Sequence, residues 1–276
     1  MKLLVTTDFS ANSKGAIRFA QTLAKQAENV EVIFYHAIHF LKPTRWGDVF
    51  FDQYKDDEIE RLSSNLKKFT YATLGKDKDK FRSIKFVVED CISTEKDIIK
   101  FAERNKINFI CIATQGAGIL RKVMGTHTSY IVNNSITPVM VIPSRYKSKP
   151  FKTATYLSDF ENLRKEVMEI SNFSKEISLQ VEVLHYLSAL ADERKFEKNR
   201  ELFNTKEFEN FKLDIQKNDI ELSLTDRITN YIQKSKPELL IMFTNREKSF
   251  FESMFLPSKS AELTYTTKVP LLIFSK

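Results

Sequence analysis

The chain has 276 residues, of which 42% are hydrophobic and 29% charged, and a formal net charge of +7. This balance excludes a wholly disordered chain, and no apolar run nears the ~20 residues that a membrane-spanning helix needs. An acid at Asp8 breaks the N-terminal segment before a secretory core could form, and two cysteines, Cys91 and Cys111, make no disulfide framework, so a cytoplasmic protein is expected. The positive excess lies in residues 1–150, with 24 Lys and Arg against 16 Asp and Glu, whereas residues 151–276 carry 19 against 20. Lysines 67, 68, 76, 78, 80 and 85 are interleaved with Asp77 and Asp79, which favours a solvated face over a nucleic-acid stripe. Neither a nucleic acid nor a membrane is an expected partner.

Leu3-Leu4-Val5, ending at Thr7-Asp8, reads as a buried strand. Ala16, Phe19, Ala20, Leu23, Ala24 and Ala27 recur at spacings of three and four and predict a helix, capped by Ser10 or Asn12. Val30 to His36 is a second strand. Residues 40–55, with Pro43, Trp46, Gly47, Phe50, Phe51 and Tyr54, fit neither period and read as a mobile, irregular flap over the neighbouring cleft. Ile59, Leu62, Leu66, Phe69 and Thr73 mark a second amphipathic helix. A strand over 84–88, a helix through Ile98, Ile99 and Ala102 ending near Asn105, and a fully apolar strand over 109–113 follow. Thr126 opens another helix, and residues 138–143 are a last strand. Strand alternating with helix predicts an α/β fold, an open parallel sheet covered by helices on both faces.

The second half repeats this order. Thr7-Asp8-Phe9 is echoed by Ser158-Asp159-Phe160, Val30-Glu31-Val32 with His36 by Val181-Glu182-Val183 with His185, and Thr137-Pro138-Val139 by Val269-Pro270-Leu271. Residues 107–114 are echoed by 237–244. The offsets run from 151 to about 130, so the order is kept while the loops differ. Two repeats of this size predict two tandem domains, 1–147 and 151–276, joined by a short basic stretch containing Pro150.

All six glycines precede residue 126. In an open parallel sheet, ligands bind beyond the carboxyl ends of the strands. Ala113-Thr114-Gln115-Gly116-Ala117-Gly118 and then Gly125-Thr126-His127 follow the fourth strand. Glycines there let the backbone approach a ligand, and a helix start at Thr126 offers N–H groups to a phosphate. Asp8 ends the first strand, where its carboxylate can accept hydrogen bonds from a ribose. On spacing alone, the same glycines also suit a plain strand-to-helix turn.

Asp8-Phe9-Ser10, Ala113-Thr114-Gln115-Gly116, Gly125-Thr126 and Thr137-Pro138-Val139, in that order, resemble the universal stress protein family, and the resemblance covers essentially the whole chain as two tandem copies. It implies, for each copy, a five-stranded parallel sheet similar to adenine-nucleotide hydrolase folds. Some members bind ATP through a pattern written G-x2-G-x9-G-[S/T]. The resemblance places that pattern on Ala113, Gly116, Gly125 and Thr126, places Asp8 near adenine and ribose, and places the backbone of Ala37 against the adenine edge. His127 beside Thr126 is a further candidate phosphate contact. The pattern departs in two places: alanine stands at 113, and eight residues separate Gly116 from Gly125. In the second copy the same positions read Phe243, Arg246, Pro257 and Ser258, and proline removes an N–H from the cradle. The second copy is therefore expected to be degenerate.

Among the remaining residues, His36 and His185 are expected to share a structural role at the ends of equivalent strands. Cys111 is expected to be inert, and Cys91, in a loop, open to oxidation. Phe203, Phe208 and Phe211 have helical spacing and read as core. No cluster has zinc spacing, no catalytic residue is assigned, and no metal is expected beyond Mg accompanying a nucleotide. The sequence points to a cytoplasmic stress regulator that binds ATP or another adenine nucleotide through its first domain. A ligand-free interaction module and a slow ATP hydrolase are the alternatives. Pairing of the two copies through their last strands as a pseudo-dimer, and a homodimer, are the expected assemblies.

Overall fold

The computed structural model describes residues 1–114, 126–187, 199–217, 222, 224–244 and 269–276. These fall into two compact units that divide after Ser148.

The first unit contains β1 (Lys2–Thr6), α1 (Lys14–Gln26), β2 (Glu31–Ile38), α2 (Asp48–Leu74), β3 (Ser83–Asp90), α3 (Thr94–Arg104), β4 (Phe109–Ala113), α4 (Thr126–Asn134) and β5 (Val139–Ile142). The strands lie in the order β3-β2-β1-β4-β5, and every pairing is parallel. Leu3, Leu4, Val5, Ile110, Cys111 and Met140 are buried, as strands covered on both faces require. The chain winds outward from β1 to β3, then returns to build β4 and β5 on the other side. Right-handed crossovers then put α1 and α2 on one face and α3 and α4 on the other; α1 packs with α2 and α3 with α4. The winding direction reverses between β1 and β4, and this switch point opens a crevice at the carboxyl ends of the strands.

The second unit repeats the plan with β6 (Thr153–Leu157), α5 (Leu163–Glu176), β7 (Gln180–Leu187), β8 (Phe211–Lys217), α6 (Leu224–Ser235), β9 (Leu240–Thr244) and β10 (Leu271–Ser275). Its parallel order is β10-β9-β6-β7-β8, with the reversal between β6 and β9. Tyr156, Phe151, Leu239, Ile241 and Leu272 are buried in its core.

Three expectations are corrected. The helix through Leu62 and Leu66 begins at Asp48, so residues 48–55 are its first two turns rather than irregular chain. Ring contacts hold this end together: Trp46 lies 4.7 Å from Phe50 and 5.1 Å from Tyr54, although Phe50 and Val49 are exposed. Neither Ser10 nor Asn12 caps α1. The cap position is Ser13, in helical conformation and without a side-chain cap bond, because its hydroxyl is spent on Thr7 Oγ1 at 2.7 Å and on the Ser10 carbonyl. Phe208 and Phe211 lie in a 3-10 turn and at the start of β8, not on a helix, yet both are buried and their rings are 5.8 Å apart.

Candidate functional site

The loop after β1 is built from its own side chains. Thr7 N–H donates to the Tyr35 carbonyl, extending the ladder one residue beyond β1. Phe9 N–H then donates to Thr7 Oγ1 at 3.1 Å and Ser10 N–H to Asp8 Oδ1 at 3.0 Å, two local turns typical of short polar side chains. Phe9 takes φ 62°, a left-handed conformation uncommon for a bulky residue. Its ring is held against His36 at 4.4 Å and Phe69 at 5.8 Å, and His36 Nδ1 lies 2.8 Å from the Thr7 carbonyl.

The outcome is an exposed Asp8 carboxylate beyond the end of β1. Partial burial works to raise its pKa, but hydrogen bonds from Ser10, the backbone and Ser13 outweigh it and hold the carboxyl below the usual range. Asp8 is therefore ionised at neutral pH. Among the described residues no lysine or arginine pairs with it. Register brings its neighbours to the same level. Thr6 pairs with Tyr35, so Ala37 stands beside Asp8; Val5 pairs with Cys111, so Ala113 stands one step short of it on the other side. Both alanines are half-buried. Of the residues predicted for the site, Asp8, Ala37 and Ala113 thus meet at the switch point. Thr126 is the first residue of α4, and His127 in its first turn is exposed, with Nδ1 2.5 Å from Glu95 Oε1 of α3. Gly116 and Gly125 lie outside the described residues, as do Arg246, Pro257 and Ser258. No group of three His, Cys, Asp or Glu among the described residues is placed to hold a metal, and no described helix is long and apolar enough to cross a membrane.

The second unit reproduces the loop after its first strand. Phe160 N–H donates to Ser158 Oγ at 3.2 Å, Glu161 N–H to Asp159 Oδ1 at 3.0 Å, and Phe160 takes φ 63°. His185 Nδ1 lies 2.9 Å from the Ser158 carbonyl, with its ring stacked on Phe160 at 3.8 Å. The shared structural role expected for the two histidines is what the geometry gives. The surroundings differ. Lys276 pairs with Asp159 and lies 3.4 Å from Glu166 and 3.8 Å from Glu161. Burial pulls the Lys276 ammonium down, but Asp159 and Glu166 overcome this and hold its pKa above the ordinary lysine value. Phe243 occupies the strand end that Ala113 has in the first unit, nearly buried, with rings 4.8 Å from Phe274 and 5.7 Å from Tyr156.

A family model described as the universal stress protein family matches residues 1–143. The chain belongs to this family. Among solved structures, a universal stress protein from Archaeoglobus fulgidus aligns over 99% of this chain and 98% of its own, with 16% identity and a TM-score of 0.71. A functionally unknown protein from Pseudomonas aeruginosa aligns over 99% of this chain and 92% of its own, with 13% identity and a TM-score of 0.58. A universal stress protein family protein from Arabidopsis thaliana with AMP bound covers 51% of this chain and 90% of its own, at 14% identity and a TM-score of 0.36. No curated protein matches the chain.

Both cysteines of this universal stress protein are free and buried. Cys111 is fully buried in β4, and desolvation pushes its thiol well above the ordinary range. Cys91 is also buried, at 2% exposure, and lies 3.2 Å from the Tyr35 hydroxyl; burial raises its pKa too, which opposes the oxidisable role expected from its loop position. Sequence reasoning missed Glu166, Tyr156 and Lys276. The repeat carried the signal: at the 151-residue offset of Asp8 and Asp159, a buried glutamate stands where the first copy has Gly15.

Proposed function

We propose that the first half of this universal stress protein binds an adenine nucleotide at the carboxyl ends of β1, β2 and β4, and acts as a nucleotide-responsive cytoplasmic regulator without turnover. One observation carries this reading: Asp8 is an ionised, exposed carboxylate at the switch point, oriented by the Ser10 N–H and unpaired with any described cation. Such a group accepts hydrogen bonds from ribose hydroxyls. Ala37 would present its backbone to the adenine edge. Gly116, Gly125, Thr126 and His127 would surround the phosphates, with Mg accompanying ATP. His127, in the first turn of α4, is held by Glu95 of α3. In the second half the equivalent acid, Asp159, already carries Lys276. The reading therefore assigns one nucleotide to each chain.

The second reading is a ligand-free interaction module. It is favoured by the methyl group of Ala113 at the end of β4, where the binding pattern has glycine, and by the shortened spacing to Gly125. Calorimetric titration with Mg-ATP and with AMP separates the two. The expected result is one site per chain, weakened at least about tenfold by Asp8→Ala, which removes a charge-assisted hydrogen bond, and unchanged by Asp159→Asn. Gly125→Pro is expected to abolish binding by removing an N–H from the cradle. Absence of heat with both nucleotides would establish the interaction module, and steady phosphate release from ATP would establish the hydrolase.

A further inference from the structure

Lys276 has the surroundings of a bound ligand rather than of a surface ion pair. Its side chain is only 10% exposed, and it reaches carboxylates from two elements, Asp159 and Glu161 in the loop after β6 and Glu166 in the first turn of α5. Glu166 is itself 2% exposed. One of its oxygens accepts from the Tyr156 hydroxyl, and the other, Oε1, is buried without a hydrogen bond and faces the Lys276 ammonium. A buried carboxylate with an unfilled acceptor needs a cation beside it. Three acids around one position suit a primary ammonium, whose three N–H donors point to different sides of one compact charge.

We propose that the crevice of the second half is a binding site for a primary ammonium on an unbranched alkyl stem, filled in cis by Lys276. The cleft has kept the acid of the first half, Asp159, and has gained Glu166 where the first half has Gly15. With Glu166 added, the position takes a cation of this chain's own. The inference stands on the second half alone and is independent of nucleotide binding by the first.

Removing the lysine leaves an empty site that a free alkylammonium can enter. The test uses full-length protein carrying Lys276→Ala. Its thermal midpoint is expected to fall by about 4 °C or more, because Glu166 is left buried without its cation. Propylammonium chloride at tens of millimolar is expected to restore at least half of that loss in the variant and to leave the parent unchanged. Tetramethylammonium chloride at equal concentration, bulky and without N–H donors, is expected to restore nothing. A variant as stable as the parent, or equal rescue by both salts, would overturn the proposal. Where Lys276→Ala does not fold, Lys276→Met combined with Glu166→Gln provides the second measurement. With both charges gone, it is expected to be more stable than Lys276→Met alone and indifferent to propylammonium. A double variant no more stable than the single one would also overturn the site.

Discussion

Gly15 lies where the start of α1 passes the chain following β5, and a Cβ there would meet the Pro143 carbonyl oxygen at 2.5 Å and the Ser144 Cα at 3.1 Å. Alanine is the better helix former by about 1 kcal/mol, yet the obstacle is backbone and cannot rotate away. Gly15→Ala is therefore expected to destabilise the protein by roughly 1–3 kcal/mol, read from urea denaturation. At the thiols, burial and raised pKa values set the expectation. Neither Cys91 nor Cys111 should react with a thiol-specific reagent in the native state, and both should react in denaturant; rapid native labelling of Cys91 would show that its loop opens. Lys276 supplies a pH dependence. Its folded pKa lies above the ordinary 10.5, so the stability that its carboxylates confer is complete below that value and is lost as pH rises through the folded one. The stability difference between parent and Lys276→Met should be constant across neutral pH and shrink only in this alkaline range, measured by denaturant titration at each pH.

Strands were the most legible elements, because β1, β4 and β5 are short runs apolar on both faces, and few other structures suit such runs in a chain of average composition. The helix after β2 was legible only where it packs: Leu62, Leu66, Thr70 and Leu74 keep the period and are buried, whereas Val49, Phe50 and Tyr54 in its first turns are exposed and obscure it. This divides its energetics. Leu66→Ala is expected to cost about 2–5 kcal/mol, while Val49→Ser, at a surface position, should stay within about 0.5 kcal/mol; chemical denaturation of the two variants tests the boundary between packed and exposed turns. The place of Asp8, Ala37 and Ala113 at the ends of β1, β2 and β4 was legible, since each lies at the end of an apolar run. Glu166 and Lys276 were not, because 110 positions separate them and neither belongs to a recognisable local pattern.

For the whole molecule, two copies of one plan have reached different chemical ends. β5 is the last strand of the first unit, and all four of its residues are buried. A fragment of residues 1–148 is expected to self-associate through that strand, which would otherwise expose unpaired N–H and C=O groups and apolar side chains. Size-exclusion chromatography with light scattering would detect this, and a monomeric fragment would contradict it. The clasp after β1 and β6, by contrast, keeps the same hydrogen bonds and a left-handed phenylalanine against a histidine in both copies. A carbonyl oxygen can only accept, so His36 and His185, each with Nδ1 against one, must carry the proton on Nδ1 when neutral. Each ring is then fixed in the tautomer with its hydrogen on Nδ1. Nitrogen-15 imidazole spectra should therefore show two rings of this tautomer, one in each half. A molecule captured beside Asp8 would move the first signal and leave the second in place, so the protein carries its own pair of spectroscopic reporters for telling which half has responded.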